Sequence, residues 1–154
     1  MLGPAGPPRR NIPMKTILAL LALLCTLNSH ADDKLFKQHG QYKIFYSAFN
    51  STFIDPDVAV ANQIVRGKDK GLVNIAVVRT PGTGLPAVIT GDVYNIFQMR
   101  TPLKFVEIRE QDTIYYLAAF DFENEDLLTF KISVQPQQDQ PAYALKFQKK
   151  MYHD

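Results

Sequence analysis

One cysteine, no tryptophan and three histidines are all that this chain of 154 residues offers of the side chains best suited to thiol, metal or proton-shuttle chemistry. The cysteine, Cys25, follows the apolar run Ile17-Leu18-Ala19-Leu20-Leu21-Ala22-Leu23-Leu24. With Lys15 before that run and small Ser29 and Ala31 after it, residues 14–31 read as a cleavable secretion signal, cut after Ala31. The run is too short to cross a bilayer core, which takes about 20 apolar residues, and polar Asn28, Ser29 and His30 follow at once. No stable membrane insertion is expected once the signal has gone. Lipidation of Cys25 is not expected either, because Leu24 occupies the preceding position, which normally takes a small residue. The mature chain, 32–154, then lacks cysteine, which excludes disulfides and thiol catalysis. Residues 1–13 hold four of the ten prolines and no apolar period, and read as an upstream extension or an unusual n-region, with Met14 the favoured start.

Excess charge of one sign is also missing. Arg9, Arg10 and Lys15 leave with the signal, so 14 basic residues face 15 acidic ones and the mature charge is −1. Nucleic-acid binding depends on clustered Lys and Arg to displace counterions, so that class is set aside. The 123 residues left of the 154 suit one domain that buries about two-thirds of its unfolded surface without covalent staples.

What the chain does have is alternation. Seven runs rich in Val, Ile, Phe, Tyr and Thr, near 41–49, 71–79, 86–98, 103–110, 113–122, 127–135 and 142–151, are separated by Gly, Pro, Asn and Asp. Leu128, Phe130, Ile132 and Val134 alternate with Thr129, Lys131, Ser133 and Gln135, the pattern of a strand with one wet face. Val73, Ile75 and Val77 are joined by Leu72, Ala76 and Val78, apolar on both sides, which predicts a central strand. One helix is expected, with Asp55 as N-cap, Pro56 at its first position and Gly67 as its close. The predicted fold is all-β: a seven-stranded immunoglobulin-like antiparallel sandwich with one short helix, a small barrel being the alternative.

The residues also resemble a known family. Gly40 to Phe53, Asp55-Pro56-Asp57-Val58-Ala59, Lys70 to Val77, Arg109 to Phe120 and Leu145-Lys146-Phe147 are similar to the exported bacterial proteins grouped as domain of unknown function 4426. The resemblance covers nearly all of the mature chain and implies a single exported domain in the periplasm of a Gram-negative bacterium. It implies no activity, cofactor or catalytic residue.

Catalytic candidates are few. His39 and His153 are the only histidines outside the signal, each near an end where chains fray, and no serine sits in a Gly-x-Ser-x-Gly elbow. Two distant histidines without cysteine do not make a zinc site, and the acidic stretch 121–126 lacks the glycine and spacing of a calcium loop, so it reads as a solvated hairpin connection. No catalytic residue, cofactor or metal is therefore expected. Asn50-Ser51-Thr52 matches a glycosylation acceptor pattern and reads as a turn.

Two segments are candidates for binding, each beside a plainer reading: a solubilising turn for the cations, and cover by the segment from Asn50 to Lys70 for the aromatics. Arg66, Lys68 and Lys70, with Gly67 and Gly71 between them, suggest an anion site, with a pocket between the short helix and the sheet. Phe45, Phe49 and Phe53 share a side opposite Tyr42, Ile44 and Tyr46 and suggest an aromatic contact surface. The functional expectation is a non-enzymatic accessory or protein-interaction module of the cell envelope; the alternative is a periplasmic binder of a small anion.

Overall fold

In a computed structural model, residues 36–79, 82–136 and 141–154 are described. The expected signal, the upstream extension and the whole of the polar stretch 137–140 between Pro136 and Pro141 lie outside them. Ten strands form: β1 (Phe36–His39), β2 (Tyr42–Asn50), β3 (Lys70–Arg79), β4 (Thr83–Gly84), β5 (Ala87–Tyr94), β6 (Arg100–Leu103), β7 (Val106–Glu110), β8 (Thr113–Asp121), β9 (Leu127–Pro136) and β10 (Tyr143–Lys150). They make two antiparallel sheets. The larger runs β1-β2-β3-β8-β7, with β4 also on β3; the smaller runs β10-β9-β5-β6. The arrangement is a sandwich, not a closed barrel, because no pairing joins the sheets among the described strands.

The inner faces follow the alternation in sequence. Tyr42, Ile44 and Ala48 of β2, Val73, Ile75 and Val77 of β3, and Ile114, Tyr116, Ala118 and Phe120 of β8 are buried in one core. Opposite them stand Val93 of β5, Leu103 of β6, Leu128, Phe130, Ile132 and Val134 of β9, and Leu145 of β10. β3 is the central strand: it pairs β2 on one side and β8 on the other, and Leu72 and Ala76 of its second face are buried as well.

Four rings join the layers. Phe130 and Phe147, cross-strand partners in the smaller sheet, stack at 4.7 Å with their planes 10° apart. Tyr46 of β2 packs on Phe147 at 4.8 Å, and Phe120 of β8 meets Phe130 edge-on at 5.1 Å. Each such pair contributes roughly 0.5–1.5 kcal/mol beyond its burial. A polar strut accompanies them: the Tyr116 hydroxyl of β8 accepts from Ala87 N of β5 at 2.8 Å and donates to Glu107 Oε2 of β7 at 2.9 Å.

Several details differ from the sequence expectation. The strands number ten because β1 and β4 are short and because the expected run 103–110 divides at Lys104 and Phe105, sending β6 to the smaller sheet and β7 to the larger. The expected run 86–98 stops at Tyr94, and a turn follows. The helix α1 (Pro56–Ala61) begins as expected, with Asp55 Oδ1 accepting from Asp57 N at 2.9 Å, but Gly67 does not close it. Gln63 does, at φ 56°, with Gln63 N donating to Val60 O and Ile64 N to Ala59 O, the pair of bonds that ends a helix through a left-handed residue. Gly67 instead meets the buried Ser51 hydroxyl, which accepts from Gly67 N at 3.0 Å and donates to Gly67 O at 3.3 Å.

Two measurements test this framework. A Cβ on Gly71 would lie 2.3 Å from Cζ of Phe120, whose ring is held between Phe122 and Phe130. Gly71→Ala should therefore lower unfolding free energy by about 1–3 kcal/mol in urea titration, the usual cost of forcing volume into a packed core. Tyr116→Phe should cost about 1–2 kcal/mol at neutral pH, since Ala87 N loses its acceptor. The Glu107 carboxyl is held below its ordinary range by the Tyr116 hydroxyl and then by Arg109. A lowered folded value stabilises above the unfolded pKa and is lost as pH falls through the folded one, so the acid-side loss of stability should be smaller in Tyr116→Phe.

Candidate functional site

Each histidine outside the expected signal packs on an aromatic ring. His39 Nε2 lies 2.8 Å from Pro141 O and its ring packs on Tyr143 at 5.1 Å. His153 packs on Phe122 at 5.5 Å, and its backbone N donates to Asn124 Oδ1 at 2.9 Å. The C-terminal segment is thus tied down, contrary to the expected fraying. Asn50 is the main anchor: its Nδ2 donates to Tyr152 O at 2.8 Å and to Asp154 Oδ1 at 2.7 Å, while Thr52 also bonds Asp154. The amide of the Asn50-Ser51-Thr52 turn is therefore engaged within the fold. Among the described residues, no group of three His, Cys, Asp or Glu side chains is placed to hold a metal. The 121–126 connection differs from a wholly solvated loop, since Phe122 enters the core.

The cations expected to share an anion are drawn to separate partners. Arg66 Nη2 donates to Thr52 O at 2.9 Å. Lys70 Nζ lies 2.9 Å from Asp121 Oδ1 and 3.5 Å from Asp69 Oδ2, and these carboxylates raise its pKa, the hydrogen bond to Asp121 foremost. Lys68 is exposed. A pocket does lie between the helix and the sheet, but its lining is mostly apolar and includes none of the three.

Basic residues gather instead on the outer face of the smaller sheet. Lys131 and Lys146 are direct cross-strand partners there, and Arg100 of β6 bonds Asp92 at 2.9 Å beside them, all around one shallow depression. Lys131 Nζ also rests 4.3 Å from the Tyr94 ring. Like charges directly opposite one another are unfavourable, so the Lys131 and Lys146 pairing was not legible until the register was known.

The aromatic trio is split. Phe45 and Phe49 stand on the outer face of the larger sheet, as the alternation predicts, with Phe45 against Phe36 at 5.4 Å and Phe49 in the pocket under α1. Phe53 falls in the 3-10 turn Ser51–Phe53, out of strand register, and is 74% exposed. A second apolar surface was missed. Between β5 and β6, Ile96, Phe97 and Met99 all point to solvent, Phe97 being 77% exposed. Their turn is rigidly built: Asn95 Oδ1 accepts from Phe97 N and Met99 N at 3.0 Å each, and Asn95 O accepts from Gln98 N at 3.0 Å. Exposed Leu127 and the acidic residues Glu123, Glu125 and Asp126 lie alongside. The signal for this turn was Asn95 itself, whose short side chain favours such a local bond over a continued strand.

Among the described residues no helix is long and apolar enough to cross a membrane. No curated protein matches the sequence. A crystal structure of a DUF4426 family protein from Pseudomonas aeruginosa PAO1 is similar, with a TM-score of 0.70 and 30% identity over 77% of this chain and 94% of that one. The model of domain of unknown function DUF4426 matches residues 36–154, which takes in every described strand, and the chain belongs to that family.

Proposed function

We propose that the protein is a non-enzymatic contact module of the bacterial envelope, exported to the periplasm, which docks another envelope protein through the turn 95–99. The observation that carries this is the presentation of Ile96, Phe97 and Met99 to solvent on a backbone already fixed by Asn95. Large exposed apolar side chains cost solubility, and Phe and Met are enriched where proteins bind one another. A turn ordered before binding loses little entropy on docking, which favours affinity.

The neighbouring charges indicate the partner. Glu123 and Asp126 flank the apolar tip, while Glu125 is paired with Lys150 at 3.5 Å, so an apolar pocket with a basic rim is complementary. The secretion signal expected at residues 14–31 and the family resemblance support the compartment.

Photocrosslinking in intact cells tests this directly. A photoreactive phenylalanine analogue at position 97 should give one dominant adduct with a second protein, and the same analogue at exposed Lys37 should not. Phe97→Ser should reduce capture through a probe at Met99 by tenfold or more, with the unfolding midpoint unchanged within error. Equal adducts from positions 97 and 37, or capture indifferent to Phe97→Ser, would sink the proposal.

A further inference from the structure

Two lysines on the outer face of the smaller sheet carry charge that the fold leaves unanswered. The register sets Asp92, Lys131 and Lys146 side by side across β5, β9 and β10, which offers Asp92 as the natural counter-ion of Lys131. Arg100 of β6 takes that carboxylate instead, at 2.9 Å. Neither Lys131 nor Lys146 makes an ion pair among the described residues, and the two oppose each other directly, an arrangement that is unfavourable until an anion joins them. The Tyr94 ring, 4.3 Å from Lys131 Nζ, restrains that side chain without neutralising it. Beside the pair the face sinks to small side chains, Thr90, Ser133 and Ala144, which are neighbours across the same three strands. This hollow has a volume of about 640 Å³, and both lysines and Arg100 line it.

We infer that the lysine pair binds the phosphate of a small phosphorylated sugar, whose body lies over the floor of Thr90, Ser133 and Ala144. Charge selects the head: a phosphomonoester is largely dianionic near neutral pH, its second pKa being about 6, and it has three strong acceptor oxygens, whereas one carboxylate would leave one of the two ammonium groups uncompensated. The floor selects the body. Its outward side chains are small or hydroxyl-bearing, which suits the hydroxyls of a sugar and offers an acyl chain no apolar cover. A nucleobase would need a free ring to stack on, and Lys131 already occupies a face of Tyr94. This assignment moves the anion expected near Arg66, Lys68 and Lys70 to the opposite layer of the sandwich. It uses none of the residues of the 95–99 turn, so either reading can fail without the other.

Four probes separate the possibilities: glucose 6-phosphate, inorganic phosphate and glucose, titrated at low ionic strength into the isotopically labelled protein and followed by NMR at the backbone amides of Ser133 and Lys146, and phosphatidylglycerol vesicles in a sedimentation assay. Glucose 6-phosphate should give saturable shifts with a dissociation constant on the order of a millimolar or below. Inorganic phosphate should bind about tenfold more weakly, glucose should not saturate, and the vesicles should not carry the protein down. Lys131→Gln and Lys146→Gln should each weaken the sugar phosphate about tenfold, and Lys68→Gln on the other layer should leave it unchanged. Lys146→Gln should do so without lowering the unfolding midpoint, since it removes an opposed like charge. Ser133→Ile, which fills the floor and removes its hydroxyl, should bring glucose 6-phosphate down to the affinity of inorganic phosphate. No saturation by glucose 6-phosphate up to about 10 mM, equal affinity for it and inorganic phosphate in the unaltered protein, retention on the vesicles, an equal loss from Lys68→Gln, or a lower midpoint in Lys146→Gln would overturn the inference.

Discussion

Contact between the rings of Tyr46, Phe120, Phe130 and Phe147 is what makes two sheets one molecule. Tyr46 and Phe120 come from the larger sheet and Phe130 and Phe147 from the smaller, and every contact among them lies between 4.7 and 5.1 Å. With no cysteine outside the expected signal, no disulfide ties the layers. Burial has to supply the cohesion. Gly71 follows from the same requirement, because only a residue without a Cβ leaves the Phe120 ring its place against Phe130. The Tyr116 hydroxyl adds a directional element between β8 and β5, which fixes how the sheets sit where aromatic packing alone would tolerate sliding.

A core so placed frees the outer faces and the ends for other uses. On the larger sheet, residues of α1 and the segment after it form an apolar-walled pocket with Phe49, Ile108 and Leu117. On the smaller sheet, the outward positions of β9 and β10 carry Lys131 and Lys146. At one end, the connection from β5 to β6 offers Ile96, Phe97 and Met99 to solvent. None of these three surfaces contributes much to the apolar core. Each is a place where the chain retains an apolar hollow, opposed like charges or exposed rings, all mildly unfavourable in a fold selected for stability alone.

The alternation of β9 was legible because it is strict: Leu128, Phe130, Ile132 and Val134 point inward without exception. The centrality of β3 was legible from its two apolar faces. The division of 103–110 was not, because Leu103 and Val106 to Glu110 carry strand-like residues on both sides of the break, and a period of two says nothing about which sheet a strand joins. Gly67 looked like a helix cap because glycine takes left-handed φ most easily, yet Gln63 adopts φ 56° four residues earlier, closing α1 after Ala61. Ile96, Phe97 and Met99 were concealed inside an expected strand, since an apolar residue in an alternating run is read as core until the turn that expels it is seen.

Sequence alone determined that this is an antiparallel β protein, that β3 is central, that a short helix starts at Pro56, and which family the residues resemble. Those features depend on side-chain period and local hydrogen bonding, which act over a few neighbouring residues. Tertiary structure alone decided which cations find carboxylates, that Asn50 anchors the C-terminus, and that Phe97 faces water. These depend on which distant strands become neighbours, and strand pairing across tens or a hundred residues is settled by the packing of the whole sandwich, beyond the reach of any local pattern.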